Sequence, residues 1–310
     1  MLTVERYGPG LESAWNAFLA STRNGTFLHD RRYMDYHADR FEDCSLILRE
    51  DGEILALLPA NRRGASVWSH QGLSYGGLLM PDALTLARAE AALAAVRDHL
   101  AAAGVTELIY KPVPRIFHRA PADEDLVALH RMGASVIRRD NLSVVETAQR
   151  IRPRKGRRYG ASKAAKAGIA IARSNDWNGF WRLLEATLSD RHAARPVHSL
   201  DEIAMLAHRF PDNIALHVAQ REGEMLGGTV IYETPLVART QYIAAAPAGL
   251  EASALDLLFI TLIEEVYAAK RYFDFGASLD GAGGINAGLL DQKEGFGARA
   301  VLQDTYRVAL

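Results

Sequence analysis

The chain is poor in cysteine and in net charge, and it has no long apolar run. Cys44 is the only cysteine among 310 residues. That excludes an intramolecular disulfide and any cysteine-rich zinc site, and it fits a reducing compartment. The formal net charge is −1. A protein that coats nucleic acid with its whole surface is therefore excluded, and any basic surface has to be local. No stretch of about 18 apolar residues occurs, so no membrane span is expected. The first residues, MLTVERYGPG, carry Glu5 and Arg6 and lack an apolar segment, so no signal peptide is expected either. A cytoplasmic location follows as the expectation. What is present is ample apolar material: 49% of residues are hydrophobic and 24% charged. That is enough to bury real cores, and the length suits two domains.

Hydrophobic periodicity and turn residues give an α/β order that occurs twice. In the first half Cys44–Arg49 and Glu53–Asn61 form a hairpin around Asp51-Gly52. A third extended run, Ser66–Leu79, broken by Gly72, Gly76 and Gly77, leads to a helix over Asp82–Ala103, and Val105–Tyr110 forms a strand. In the second half a hairpin turns at Glu222-Gly223. Val237–Ala246 is the third strand, Glu251–Ala269 a helix and Arg271–Phe275 a strand. Each half closes alike, with Met132-Gly133-Ala134 and a strand to Asp140, or with Phe296-Gly297-Ala298 and a strand to Asp304. The spacing between matching features is nearly constant. This predicts a duplicated domain with halves 1–149 and 150–310.

The halves differ where chemistry would sit. After Asp274 the second half has a glycine-rich loop with Gly276, Gly281, Gly283 and Gly284, and then Asn286, Lys293 and Glu294. The first half has Lys111-Pro112 and no such cluster. Polar groups on a loop at a strand's carboxyl end are a common way to build a site. Asp274 either accepts a proton in a reaction at this loop or caps the loop. Lys293 either stabilises a developing oxyanion or satisfies helix-end carbonyls. Arg152, Arg154, Lys155, Arg157, Arg158, Lys163 and Lys166 form the one concentration of positive charge in the sequence, with no acid among them. That segment either grips phosphates or is a solvated helix face. His192, Arg195 and His198 flank Pro196-Val197 between two helices, and their spacing is not that of a metal site. No metal is expected.

One half thus reads strand, two helices, three antiparallel strands, long helix, strand, short helix and final strand. That order resembles the GNAT superfamily of N-acyltransferases. Two such halves joined by a basic helix resemble the FemAB-like acyl and aminoacyl transferases. The resemblance rests on RKGRRYGASKAAKAGI, the helix pair ending in PVHSL, GEMLGGTVIY, QYIAAA, ALDLLF, FDFGAS and KEGFGA. It covers most of residues 150 to 310 and, more weakly, the first half. It implies two tandem GNAT-like domains, each a mixed and mostly antiparallel sheet flanked by helices. It also implies transfer of an acyl or aminoacyl group to an amine without a covalent enzyme intermediate. The donor would be acyl-CoA or aminoacyl-tRNA, with no bound cofactor. The acceptor would be a small or carrier-linked amine such as an envelope peptide precursor or an amino sugar.

The resemblance further implies site residues. Lys293 matches a Lys-x-x-Phe element whose lysine supports the transition state. Tyr242 lies on the strand that places a polar group near the acyl carbonyl, although a core tyrosine fits equally. His192, Arg195 and His198 fall on the acceptor side with Asn286, and Arg154, Arg157 and Arg158 would hold a phosphate-bearing substrate, with tRNA a candidate partner. The superfamily's pyrophosphate loop should fall between Ala246 and Glu251. There only Gly249 remains, and Glu251 stands where backbone N–H groups would cradle phosphate. This departure fits the FemAB-like branch better than the ordinary acyl-CoA pattern. A CoA-dependent N-acetyltransferase for an envelope or exopolysaccharide amino sugar, and a silent module that grips a phosphorylated ligand, are the alternatives.

Overall fold

The computed structural model describes the whole chain except residues 193, 194, 281 and 282 and the side chains of 190–192. The chain divides into two units. One comprises Met1–Asp140 with Leu302–Leu310, the other Asn141–Val301. The sequence places the cut at 149/150; the division of the structure falls earlier and returns the last strand to the first unit. Among the described residues no helix is long and apolar enough to cross a membrane.

The first unit holds β1 (Leu2–Arg6), α1 (Glu12–Ser21), α2 (Arg31–Met34), β2 (Glu42–Asp43), β3 (Leu46–Glu50), β4 (Glu53–Leu58), β5 (Asn61–Arg63), β6 (Ser66–Trp68), α3 (Leu86–Ala102), β7 (Glu107–Tyr110) and α4 (Glu124–Arg131). It also holds the start of β8 (Ser135–Glu146) and most of β14 (Arg299–Ala309). Strands β1, β3 and β4 make an antiparallel sheet. The β3–β4 hairpin turns at Asp51 (φ 52) and Gly52 (φ 91). Both angles are left-handed, as a tight turn matching strand twist requires, and glycine removes the strain at the second. Helix α3 buries Ala89, Ala92, Leu93, Val96 and Leu100 at helical spacing, and these pack with Leu46, Leu48 and Leu58. The extended run expected over Ser66–Leu79 stops as a strand at Trp68. His70 has a positive φ of 67, and a Cβ on Gly76 would lie 2.0 Å from the Ser69 carbonyl oxygen. The backbone folds back on itself there, and after it the segment pairs, among the described residues, only at single bridges, Gly76↔Pro112 and Leu57↔Leu79.

One buried pair in this unit makes stability depend on pH. The Tyr110 hydroxyl donates to Asp125 Oδ2 (2.6 Å) and accepts from the Leu78 N–H (2.6 Å). Burial pushes the Asp125 carboxyl up from 3.8 to about 7. The folded chain therefore holds this proton more tightly than the unfolded chain. The stability contributed by protonation is complete below about pH 4 and is lost as pH rises through about 7. A gap of roughly three pH units corresponds to on the order of 4 kcal/mol. Urea unfolding across pH 4 to 8 is expected to show this loss, and Asp125→Asn, which cannot titrate, is expected to flatten it. A wild-type profile with no slope in that window would refute the assignment.

The second unit continues β8 and adds α5 (Lys155–Lys166), β9 (Ala170–Ser174), α6 (Trp177–His192), α7 (Leu200–Arg209), β10 (Ile214–Arg221), β11 (Glu224–Glu233), β12 (Val237–Ala245), α8 (Pro247–Glu251), α9 (Ala254–Thr261), β13 (Tyr272–Ala277) and α10 (Ala287–Gly295). The strand order is β8-β13-β12-β11-β10-β9. Only β12 and β13 run parallel; the neighbouring pairs β13–β8, β12–β11, β11–β10 and β10–β9 are antiparallel. The β10–β11 turn repeats the first unit's geometry, with Glu222 at φ 52 and Gly223 at φ 82. The helix expected over Glu251–Ala269 is broken in two places. Ser253 is left-handed (φ 59) between α8 and α9, and α9 ends in a π turn over Leu262–Val266. Leu258, Phe259, Leu262 and Ile263 pack on Ala219, Ile231, Ala238, Phe273 and Phe275 of the sheet. Helix α5 lies against α9 through Gly160, Ala161 and Ala164, and a Cβ on Gly160 would meet Asp256 at 2.1 Å.

Candidate active site

The site arises where β12 and β13 stop pairing. They are in register at Val237↔Tyr272, Ala238↔Phe273 and Arg239↔Asp274, and not beyond. Two local features part them. Gly276 takes a positive φ of 69, which turns β13 away. In β12 the ladder with β11 passes from Val230↔Tyr242 to Ile231↔Thr240, so Gln241 is an extra, bulged residue. The strands diverge around a cavity of about 260 Å³. Thr240, Gln241, Ile243, Ala244 and Ala245 of β12 form one wall, and Phe275, Phe259 and Phe296 form another. Past Arg239 the β12 edge that faced β13 has no strand partner among the described residues, so its backbone N–H and C=O groups can pair with an extended ligand.

Lys293 reaches this cavity. It stands one helical turn before Phe296, and residues three apart share a helix face, so the Lys-x-x-Phe element puts both side chains on the cavity wall. Phe296 stacks on Phe275 with centroids 5.6 Å apart. The Lys293 side chain is buried, and its ammonium donates to the carbonyls of Gly276 (3.1 Å) and Ala277 (2.6 Å). Burial pushes it down to about 8, opposed by the charge of Asp274. It is a fixed cation in a largely apolar chamber, where a developing negative charge is stabilised most.

Asp274 has partners on both carboxyl oxygens. Its side chain is fully buried, its Oδ2 accepts from Arg239 Nη1 (2.7 Å) and its Oδ1 from the Gly276 N–H (2.7 Å). Of the two readings open in the sequence, the structure shows the loop-capping one, with an arginine added. Arg239 was missed although a signal exists. Val237-Ala238-Arg239 and Tyr272-Phe273-Asp274 each end two apolar residues with one charge, and the charges are opposite.

Tyr242 and His198 meet. His198 Nδ1 lies 2.5 Å from the Tyr242 hydroxyl, and Trp181 packs edge-on against the tyrosine ring at 5.2 Å. Burial pushes the Tyr242 hydroxyl up to about 12. Arg195 is exposed. The His192 side chain and Gly281 lie outside the described residues. Asn286 caps α10, its side chain accepting from the Leu289 N–H (3.0 Å). That bond accounts for its place without a ligand.

The basic segment is less unopposed than its sequence. Arg157 bonds Asp256 (2.8 Å) and lies 5.1 Å over the Phe296 ring. Arg154 pairs with Asp291, and Lys163 donates to the Glu251 carbonyl (2.8 Å). The acids come from distant parts of the chain. Arg152, Lys155, Arg158 and Lys166 remain exposed, with no acid partner among the described residues, and Tyr159 beside them is 71% exposed. Around Ala246 the backbone enters α8 directly, and a Cβ on Gly249 would meet the Leu226 carbonyl oxygen at 1.9 Å. Gly249 is thus explained by packing on β11.

Residues 148–283 match the family described as acetyltransferase (GNAT) domain. No curated protein matches the sequence. Among solved structures the chain is similar to FemX, with 12% identity and a TM-score of 0.69 over 99% of this chain and 97% of that one. It is also similar to a tandem GNAT protein from the clavulanic acid biosynthesis pathway (13% identity, TM-score 0.56, 100% and 98% covered). A third is L-PGS from Bacillus licheniformis (14% identity, TM-score 0.59, 97% and 90% covered). At these identities the likeness is one of fold.

Proposed function

We propose that this chain, in which residues 148–283 match a GNAT acetyltransferase domain, is a FemAB-like acyltransferase that moves an acyl or aminoacyl group from acyl-CoA or aminoacyl-tRNA onto an amine by direct attack. The observation that carries this reading is the buried ammonium of Lys293 in an apolar cavity opened between two parallel strands. The acyl group lies in that cavity, with its donor arm along the unpaired edge of β12. The amine lone pair attacks the carbonyl carbon, and the negative charge that forms on oxygen is held by Lys293. The proton shed by the amine is relayed through the His198–Tyr242 pair to the departing thiolate or ribose oxygen as the intermediate collapses. Asp274 and Arg239 are positioning residues, because they fix the Gly276 turn whose carbonyl holds Lys293.

The exposed row Arg152, Lys155, Arg158 and Lys166 supports a phosphate-bearing donor or acceptor. The name of a further structure of similar fold, a putative lysylphosphatidylglycerol synthetase from Agrobacterium fabrum, supports a lipid-linked substrate over a free small one. A cytoplasmic protein acting on the cell envelope is consistent with this. The test is calorimetric titration of the full chain with acetyl-CoA and with aminoacyl-tRNA, beside the variant Ala244→Phe, which fills the cavity. One donor is expected to bind the wild type at least tenfold more tightly than the variant. If neither donor binds, or both bind the filled variant as well, the reading is wrong.

A further inference from the structure

A second cavity in the Asn141–Val301 unit shares no residue with the chamber around Lys293. It measures about 520 Å³, and its polar walls come from Arg173 of β9, His217 of β10, Glu233 of β11, and Tyr267 and Lys270 beyond α9. His217 sits in Ile214–Ala219, a run in which every residue is buried, and it stands directly opposite Arg173 in the ladder, so the two share a face. Its Nε2 lies 2.8 Å from the Tyr267 hydroxyl, and both residues are 95% buried. Tyr267 is brought there by the π turn. Its N–H donates to the Leu262 carbonyl five residues back (2.8 Å). Such single-turn insertions are rare in helices and concentrate at functional sites. Burial, with Arg173 near, pushes the imidazole down to about 4, so at neutral pH the floor is an uncharged His–Tyr pair.

The rim carries the charge. Lys270 Nζ is 2.7 Å from Glu233 and donates to the Thr234 carbonyl (2.8 Å). Arg173 Nη2 donates to the Pro211 carbonyl (2.8 Å), which uses one of its five N–H donors. Two cations and one acid leave the rim with one net positive charge. Ile171, Ala172, Val266 and Ala269 complete the wall with apolar surface.

We propose that this cavity is a binding site for a small organic carboxylate, its carboxyl group held by Arg173 and Lys270 and its apolar body laid over Val266 and Ala172. A single negative charge matches the rim; a dianion would leave charge uncompensated. A chamber of this volume takes a compact metabolite and not a chain. The site does not depend on the acyl-transfer chemistry and is tested without it.

The experiment is amide-resonance NMR on the full chain, titrated with isobutyrate and benzoate. Isobutyramide, benzamide and inorganic phosphate are titrated in parallel. Saturable shifts confined to the surroundings of Arg173, His217, Val266 and Lys270 are expected with the carboxylates and not with the amides. Arg173→Gln, at an exposed position, is expected to weaken binding at least tenfold and to leave the resonances near Lys293 unchanged. Absence of saturation by about 10 mM, the weak limit of a specific site, would overturn the proposal. So would equal binding of the amides, tighter binding of phosphate, or an unaltered titration in Arg173→Gln.

Discussion

Lys293→Gln is expected to lower kcat about 100-fold while KM changes little, because the ammonium acts on charge that develops only in the transition state. Glutamine keeps an N–H donor for the carbonyls of Gly276 and Ala277, so the fold survives; the lost charged hydrogen bonds cost roughly 1–3 kcal/mol. The pH profile separates this role from a packing role. Burial pushes the Lys293 ammonium from 10.5 to about 8. Below that value it is charged and active; as pH rises through about 8 it loses its proton and the rate falls. The acceptor amine gains reactivity in the same direction, so the wild-type profile is a bell, and the variant is expected to lack the alkaline limb. Wild-type turnover in Lys293→Gln, in a transfer assay with the donor that binds, would leave the fold without its chemistry and favour a silent binding module.

Much of the frame was legible in the sequence because its signals are local. Asp51-Gly52 and Glu222-Gly223 predict tight hairpins, and both adopt the same left-handed pair of angles. Gly133 and Gly297 both end helices with positive φ, at 77 and 94. Lys293 and Phe296 lie on one wall because three residues bring a helix almost one turn round. What was not legible depends on partners far away in the chain. The sequence leaves Asp274 between proton acceptor and loop cap because Arg239, 35 residues earlier, meets it only once β12 and β13 lie parallel. The seven cations of Arg152–Lys166 looked unopposed because Asp256 and Asp291 arrive from α9 and α10. The Gln241 bulge has no sequence mark at all: it shows only as a register shift against β11. The cavity follows from those unmarked features, so its lining could not be foreseen, although its lysine could.

Asp274→Ala is expected to cost about 3–5 kcal/mol of stability, since it strands the Arg239 guanidinium, 13% exposed, without its counter-ion. It also removes the acceptor of the Gly276 N–H, a further loss of about 1–3 kcal/mol. Against a total stability of about 5–15 kcal/mol for a domain, the variant is close to unfolding. Two companions make the result specific. Asp274→Asn retains an acceptor for Gly276 but no charge for Arg239, and is expected to fall between the wild type and alanine. The double variant Arg239→Met with Asp274→Leu removes both charges, and is expected to recover most of the loss, because a matched apolar pair often stabilises as well as a buried ion pair. It cannot recover all of it, for the Gly276 N–H stays unpaired. Urea midpoints order the four proteins. A proton-accepting Asp274 predicts the opposite pattern: Asp274→Asn would fold as well as the wild type and lose turnover alone. The ion pair predicts that turnover in Asp274→Asn falls only as far as the Gly276 turn loosens its hold on Lys293, so that kcat follows the unfolding midpoint from variant to variant.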